Sequence, residues 1–400
     1  MRLNNKKNIL FLKNKEVTTV QITILCISVS LFFIVYGFYG GELYSWEYTQ
    51  FLFDYRDEFL KRGLVGEVIR QLGYQMSYDL ATKLSYGIFF GVCIALLIVT
   101  IAPFKGYWRH IGFFGFFLFV FSHSGTIQHF YADFQHMDGI NFVLALLSLF
   151  LIYKINKPYK YIFVYLLMAI ATLIHEAVLF MYIPLVLIFS FYLDSTKENI
   201  LQLLCLLGAL LCTVYAVSIF GLAKNSTLEE HYTKLISTYG IYESEANKEV
   251  YKDSVAVVHN RGLKDNADLV LERIAVDKNH NNAVKRNHIK LFIILIPTFL
   301  IYISLVSEEI KKHGKTKELL LLLSALSPLC LYPIGYDFFR WWALALTNLF
   351  TITALIAWLD NQFRASLISL FYRHQVIVFI AIFFSLKAGG IEHVAHFAGN

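Results

Sequence analysis

The sequence predicts an all-α protein, a polytopic bundle of about eleven transmembrane helices. Of its 400 residues, 57% are hydrophobic and only 16% are charged, and the mean hydropathy is +0.55. Soluble domains carry about 25% charged residues, so this composition indicates an integral membrane protein. Apolar runs that approach the length of a membrane-crossing helix recur along the chain.

The first apolar run predicts a retained membrane helix rather than a cleaved secretory signal. Basic residues precede it, but it extends over residues 18–40 and lacks a small-residue cleavage motif. Further spans are predicted near residues 84–103, 111–122, 140–154, 161–174, 177–193, 200–221, 290–306, 318–333, 341–358 and 375–389. Several of these runs are shorter than the ~20 residues that a bilayer requires, which is typical of helices that line a cavity.

The charges of the loops orient this bundle. The loops that fall on the side of the N-terminus are rich in lysine and arginine, whereas the opposite loop 123–139 contains neither. This pattern places the N-terminus in the cytoplasm, because cytoplasmic loops carry the excess of basic residues. The stretch 161–193 is either one long helix or two short helices that turn at His175 and Glu176. Only two helices keep the pattern for the C-terminal half.

A long polar segment at residues 222–288 divides the spans into two blocks. The N-terminal block, 1–221, contains a first external loop at 41–83, and the C-terminal block covers 289–400. The segment carries similar numbers of acidic and basic residues among scattered apolar ones. It predicts short external helices that form a lid or an acceptor-binding cap, or else a passive ordered loop.

Four clusters of polar residues interrupt the apolar sequence, and under this topology all four face outward. They lie at residues 54–62, 129–141, 175–176 and 337–340. A charged group in hydrocarbon costs several kcal/mol, so membrane proteins keep such groups mainly where they have a function. The shared orientation predicts that the clusters form one site on the external side.

The first cluster lies in the string FDYRDEFLKRGLVGEVIR. Its apolar residues have helical spacing and predict an amphipathic helix on the outer interface. Asp54, Asp57 and Glu58 fall close together on such a helix, and Lys61 and Arg62 follow one turn later. Either these charges pair with one another, or one carboxylate acts as a general base while a neighbouring cation binds a phosphate.

The second cluster places His129, Asp133 and His136 on one helical face, followed by Asp138. Imidazole and carboxylate groups at this spacing could bind a divalent cation, the one cofactor that the sequence leaves open. The alternative is a polar lining for a sugar or a phosphate.

The third and fourth clusters are shorter. His175 and Glu176 do not extend to a zinc-protease motif, because position 179 holds leucine instead of histidine. They form either a structural turn or a substrate-facing acid or base. Asp337 and Arg340 lie one turn apart, and they form either a local ion pair or a site in which the guanidinium binds a pyrophosphate.

A family resemblance rests on the many spans, on the acidic string FDYRDE in the first external loop and on the large later external segment. In these features the chain resembles the GT-C superfamily of polyprenyl-phosphate-dependent glycosyltransferases. It also resembles the multi-spanning polymerases of bacterial surface polysaccharides.

The resemblance implies inverting transfer from a polyprenyl-linked sugar donor to a glycan acceptor, on the outer side of the bacterial cytoplasmic membrane. It places Asp54 or Asp57 at the family's loop aspartate, with Asp57 and Glu58 as the adjacent acidic pair. Arg62 and Arg340 would then stabilise the leaving phosphate.

Two other functions remain open. A transporter or flippase would carry ionisable residues in its cytoplasmic half as well and show repeats between its halves, and neither is evident in the sequence. A membrane acyltransferase would use a histidine base, for which His129, His136 and His175 are available, but its acyl donor would come from the cytoplasmic side. Nucleic-acid binding is excluded, since the excess of 35 Lys+Arg over 29 Asp+Glu is modest and spread over short loops.

Overall fold

The computed structural model describes residues 45–132, 137–239, 245–275, 278–314, 316–335 and 337–391. Every regular element within these residues is a helix, which confirms the predicted all-α class. The α-helices, numbered in chain order, are α1 (Ser45–Gln50), α2 (Leu64–Gln71), α3 (Tyr78–Ile101), α4 (Ile111–Ser122), α5 (Ile127–Ala132), α6 (Asp138–Lys154), α7 (Lys160–Ile174), α8 (Val178–Met181), α9 (Ile183–Leu193), α10 (Lys197–Phe220), α11 (Leu228–Tyr239), α12 (Glu245–His259), α13 (Leu263–Ala275), α14 (Lys278–His313), α15 (Thr316–Ser324), α16 (Phe338–Leu359), α17 (Asn361–Arg373) and α18 (Gln375–Ala388). Short 3₁₀ helices lie at Ala102–Phe104 and Ser327–Leu331.

Within the described residues, five helical segments are long and apolar enough to cross a membrane. They are Tyr78–Phe104, Ile111–Ala132, Lys197–Phe220, Asn281–Glu309 and Phe338–Leu359. The number rises to six if α17 and α18, which are bent by 80° at a short break, form one span. The predicted first span at 18–40 lies outside the described residues. Five or six apolar helices support the membrane-protein class, whereas the count of about eleven stays a prediction.

The ambiguous stretch 161–193 consists of separate helices that meet at the third polar cluster. Helix α7 ends at Ile174, and His175 adopts an extended backbone with φ −159° and ψ 117°. The chain re-enters the bundle through the four-residue α8 and through α9, which has Pro184 in its first turn. Proline is tolerated there because the first amides of a helix have no partner within the helix. Because of this break, the side chains of His175 and Glu176 do not continue the helical spacing of α7.

The described residues of the predicted first external loop and of the later polar segment fold together into one layer. We call the described residues of 45–76 and 222–275 the outer cap. Its apolar residues form a cluster that is distinct from the main core of the bundle, although Ala81, Met137 and Ile174 of the bundle join it. The members from the cap are Tyr48, Phe51, Leu52, Phe53, Leu60, Ile69, Met76, Tyr232, Leu235, Val255 and Val258. Helix α1 packs against α12, and a buried hydrogen bond of 2.7 Å joins the hydroxyl groups of Thr49 and Ser254. The two loops are therefore one structural unit.

The long amphipathic helix predicted in the first loop is wrong for its first half. Residues 51–63 form irregular turns, and only α2 is helical. Phe51, Leu52 and Phe53 are all buried, although three consecutive residues cannot all face the same side of a surface helix. Arg62 also has a positive φ of 63°, which ends any continuous helix at this position. Burial against the later segment overrides the local helical pattern.

Two glycines, Gly63 and Gly66, allow close packing within the first loop. A Cβ on Gly66 would lie 2.2 Å from the carbonyl oxygen of Phe53 and 2.8 Å from that of Phe51. A Cβ on Gly63 would lie 2.6 Å from the ring of Tyr55. Both glycines lie against residues of the same loop, so close packing within the outer cap explains glycine at these two positions.

We expect Gly66→Ala to lower the thermal unfolding temperature of the purified protein, because the contact with the Phe53 carbonyl is with backbone and cannot be relieved by a side-chain rotation. The matched control is Gly87→Ala within α3, where an added Cβ meets nothing within 4 Å. Alanine there should be neutral or stabilising by up to about 1 kcal/mol, since glycine is the poorer helix former. Equal unfolding temperatures for the two variants would contradict this account of the loop.

Candidate functional site

A cavity of about 520 Å³ lies between the bundle and the outer cap. We call it the arginine cavity, because its charged lining comprises Arg62, Glu176, Asp253, Arg261, Arg273, Asp337 and Arg340. Its volume is in the range of small-molecule sites. Members of three of the four predicted clusters meet here, and the later polar segment supplies the other charged residues.

The carboxylate of Glu176 is bound by the first loop. Arg62 donates two hydrogen bonds to it, 3.0 Å from Nε and 2.8 Å from Nη2. The ammonium of Lys61 lies 3.7 Å from the same carboxylate and donates to the carbonyl oxygen of Arg261 at 2.6 Å. Burial lowers the pKa of Lys61, and the charge of Glu176 opposes that shift. These contacts connect the chain break after α7 to both halves of the cap.

Arg340 and Asp138 form a buried pair beneath the cavity. The guanidinium donates from Nε at 2.6 Å and from Nη2 at 2.7 Å, which is the two-point geometry of a strong ion pair. The side chains of Arg340 and Asp138 are 5% and 1% exposed. Asp138 is the first residue of α6, where the helix dipole favours a negative charge. The second predicted cluster thus joins the site through Asp138.

Asp337 is the least engaged carboxylate of the arginine cavity. Its side chain is 55% exposed, and it accepts one hydrogen bond of 3.2 Å from Nη1 of Arg340. By contrast, Asp253 accepts a hydrogen bond from Arg261, eight residues later and just after the end of α12, and Glu176 is held by two cations. Asp337 is therefore the acid with the most freedom to meet a ligand.

The predicted catalytic carboxylates lie in a second cavity, of about 340 Å³, within the outer cap. Asp54 accepts hydrogen bonds from Arg56 at 2.8 Å and from the Tyr239 hydroxyl at 3.3 Å. Asp57 pairs with Lys234. Glu58 accepts from the backbone amides that follow α10, at 2.7 and 3.2 Å. Asp57 and Glu58 thus bind to the later segment, whereas Asp54 pairs with Arg56 of its own cluster and with Tyr239 of the later segment.

The structure divides the single predicted site into two neighbouring parts. Leu60 lines the second cavity and Arg62 lines the arginine cavity, so a short piece of the first loop separates them. Lys61 and Arg62 face Glu176, whereas Asp54, Asp57 and Glu58 face α11 and the turn before it. Convergence on one cavity is found for Arg62, His175, Glu176, Asp337 and Arg340.

Of the three proposed metal ligands, only His129 lies within the described residues. His129 is completely buried, with its ring 5.3 Å from that of Phe130. Asp133 and His136 lie outside the described residues. Among the residues that the structure does describe, no group of three or more His, Cys, Asp or Glu side chains is arranged to hold a metal ion. A divalent cation therefore stays a prediction.

Sequence reasoning missed the contribution of α12 and α13. Asp253, Arg261, Asn266 and Arg273 line the arginine cavity from the cap side. The signal was present as alternating charged and apolar residues in NADLVLERIAV, but the partner of its polar face could not be known without the fold. The apolar remainder of the lining includes Leu179, Phe180 and Val214, so the cavity combines guanidinium groups with a hydrocarbon wall.

Comparisons with protein families, with curated proteins and with solved structures found no match to this chain. The functional conclusion below rests on the residues and their geometry.

Arg340→Met should destabilise the protein by about 3–5 kcal/mol, because it leaves the Asp138 carboxylate buried without its cation. Replacing both partners, as in Asp138→Leu with Arg340→Met, should recover most of that loss, since no unpaired charge remains. The free energies of unfolding of the wild type, the two single variants and the double variant are measured in the same detergent. As control, Lys83→Ala breaks an exposed pair with Asp79 and should cost no more than about 1 kcal/mol. A double variant that is no more stable than Arg340→Met would contradict the pairing.

Acidification should loosen the outer cap through His231. Burial lowers the pKa of this imidazole from 6.5 to about 4, with nearby His259 adding to the shift. Between these two values the unfolded cap binds a proton that the folded cap does not, so stability falls as the pH drops from about 6.5 towards 4. Hydrogen-exchange protection of α11, measured at about pH 7.5 and about pH 5, should fall in the wild type and fall less in His231→Gln. An equal fall in both proteins would refute the role of His231.

Proposed function

We propose that this chain is an integral-membrane glycosyltransferase or polymerase that transfers a sugar from a lipid-linked phosphate donor to a glycan acceptor. The observation that carries the proposal is the arginine cavity, in which four guanidinium groups lie beside an apolar wall. Arginine suits phosphate recognition because its planar fork makes two parallel hydrogen bonds. The apolar wall includes Val214 of α10, a candidate membrane span, and it suits the hydrocarbon part of a lipid carrier.

The proposed topology follows from the loop charges. The N-terminus is cytoplasmic, about eleven segments cross or enter the bilayer, and the outer cap lies on the extracytoplasmic side. The membrane is the cytoplasmic membrane of a bacterium, and the product belongs to a surface polysaccharide or another glycoconjugate. In this arrangement the arginine cavity opens on the side on which surface glycans are assembled.

Phosphate binding is assigned to Arg62 and Arg340, with Arg261 and Arg273 facing them from the cap. The carboxylates of Glu176 and Asp138 hold the first two guanidinium groups in fixed orientations. A donor group whose position is set before the substrate arrives needs little reorganisation in the transition state, which is the main source of electrostatic catalysis. Arg62 and Arg340 both line the cavity, so their guanidinium groups lie where the leaving phosphate would bind.

Asp337 is assigned as the acceptor of the proton. A general base must reach the attacking hydroxyl, and Asp337 is the most exposed carboxylate of the cavity with a firmly held cation beside it. Asp54, Asp57 and Glu58 are the rival assignment from the family resemblance. Their hydrogen bonds to the cap favour a role in holding α11 and the preceding turn against the first loop.

The reaction step is an inverting displacement. The acceptor hydroxyl oxygen forms a bond to the anomeric carbon while the bond between that carbon and the phosphate oxygen breaks. The electron pair of the broken bond leaves with the phosphate, which the arginines stabilise, and the hydroxyl proton passes to Asp337. No oxidant or further co-reactant is needed.

Asp337→Asn should reduce surface-polysaccharide synthesis in the native host by about 100-fold or more, the usual contribution of a general base. Membrane level and insertion are checked on the same variant. Asp79→Asn serves as the matched control, because this exposed aspartate lies at the start of α3 in an ion pair with Lys83, and it should retain wild-type synthesis.

Asp54→Asn and Asp57→Asn belong in the same experiment. Wild-type synthesis in Asp337→Asn together with loss in either first-loop variant would move the base to the second cavity. Wild-type synthesis in all three variants would remove the assignment of a general base altogether.

A further inference from the structure

Helix α13 of the outer cap has three distinct faces. One face lines the arginine cavity with Asn266, Leu269, Val270 and Arg273. A second face is exposed and charged, and it carries Lys264, Asp265, Asp268 and Glu272. The third face is apolar and partly exposed: Leu263, which also borders the arginine cavity, and Leu271 are each 63% exposed, and Ile274 is 38% exposed. A helix that lined a cavity on one side and faced water on the other would need only the first two of these faces.

The exposed apolar face distinguishes α13 from α11, an amphipathic helix of similar length in the cap. In α11, the apolar residues Tyr232 and Leu235 are buried against the first loop. Full burial of a large apolar side chain contributes about 1.5–3 kcal/mol, and the exposed parts of Leu263, Leu271 and Ile274 forfeit the corresponding share in water. The apolar face of α13 therefore indicates a surface that meets an apolar partner.

The position of α13 identifies that partner. The arginine cavity is lined by α13 and also by Val214 and Ser218, which lie in the last two turns of α10. Helix α10 is a candidate membrane span, and most of it is exposed. Helix α13 also packs against α14, whose apolar residues Ile289 and Phe292 are exposed as well. The helix thus lies beside two candidate membrane spans, α14 by direct packing and α10 across the cavity.

We infer that α13 lies in the bilayer interface, with its apolar face in the hydrocarbon of the leaflet on the cap side and its charged face in water. The three faces match the three environments of this position, which are the cavity, lipid and water. Its charged face has one lysine and three acidic residues, so the attraction is apolar and does not depend on anionic lipid. The partner is the phospholipid bilayer itself. The arginine cavity then has a side wall that rests on lipid.

Lipid photolabelling of the full-length wild-type protein tests this inference. The protein is reconstituted in nanodiscs of phosphatidylethanolamine and phosphatidylglycerol that contain a phospholipid with a diazirine near its glycerol end. After illumination, the labelled peptides are identified by mass spectrometry. We expect peptides from α13 to be labelled several-fold more than peptides from α11, the matched amphipathic helix whose apolar face is buried. Labelling of α13 at the level of α11 would overturn the inference.

Two variants separate lipid contact from the alternatives. Leu271→Glu should lower labelling of α13 several-fold, whereas Glu272→Gln on the charged face should leave it unchanged. Both positions are exposed, so neither change disturbs the core. A second copy of the chain is the other possible occupant. Crosslinking between copies through a photoreactive residue at position 271, with no lipid adduct, would assign the face to a dimer and overturn the bilayer assignment.

The photolabelling requires membrane insertion but no catalysis. It therefore succeeds or fails independently of the proposed sugar transfer. Labelled α13 in a protein whose Asp337→Asn variant keeps full synthesis would retain the interface helix and reject the proposed base. Unlabelled α13 with loss of synthesis in Asp337→Asn would do the reverse.

Discussion

The ion pair between Arg340 and Asp138 is the interaction on which the site depends. Both side chains are almost completely buried among apolar helices, where either charge alone would cost several kcal/mol. The pair fixes the start of α16 against the start of α6, and it thereby sets the position of Asp337 at the rim of the cavity. Separating the Arg340 guanidinium from this carboxylate would leave two unpaired buried charges. The floor of the arginine cavity is therefore held in place before any ligand binds.

A second electrostatic contact joins the floor to the outer cap. Glu176 projects from the chain break after α7 and is held by Arg62, while Lys61 reaches past it to the carbonyl oxygen of Arg261. The backbone amide of Lys61 also donates to the carbonyl oxygen of Gly221 at the end of α10. The first loop is thus the link between the bundle and the later segment. This explains why its residues are buried and irregular rather than spread as a helix on the membrane surface.

The proposed chemistry uses the contrast between these held charges and the freer Asp337. Paired arginines offer guanidinium groups in fixed orientations to a phosphate, and an exposed carboxylate lies next to them. In the proposal, the apolar residues of α8, α10 and α13 that line the same cavity contact the hydrocarbon of the lipid carrier. The proposed cavity therefore combines groups that suit a phosphate, a hydroxyl group and a hydrocarbon chain. A lipid-linked sugar donor requires this combination.

The sequence by itself determined the membrane class, the helical content, the positions of the long spans and the polar residues worth following. These properties are local, because hydropathy and helix length depend on neighbouring residues alone. The first half of the predicted helix in the first loop was wrong because Phe51, Leu52 and Phe53 bury against a segment about 180 residues later, and a periodic pattern cannot reveal such a partner. Tertiary structure alone decided that Arg340 pairs with Asp138, that Arg62 faces Glu176, and that Asp54, Asp57 and Glu58 face α11 instead. Each of these pairings joins residues far apart in the chain, and the strong distance dependence of electrostatic interactions makes their placement decisive.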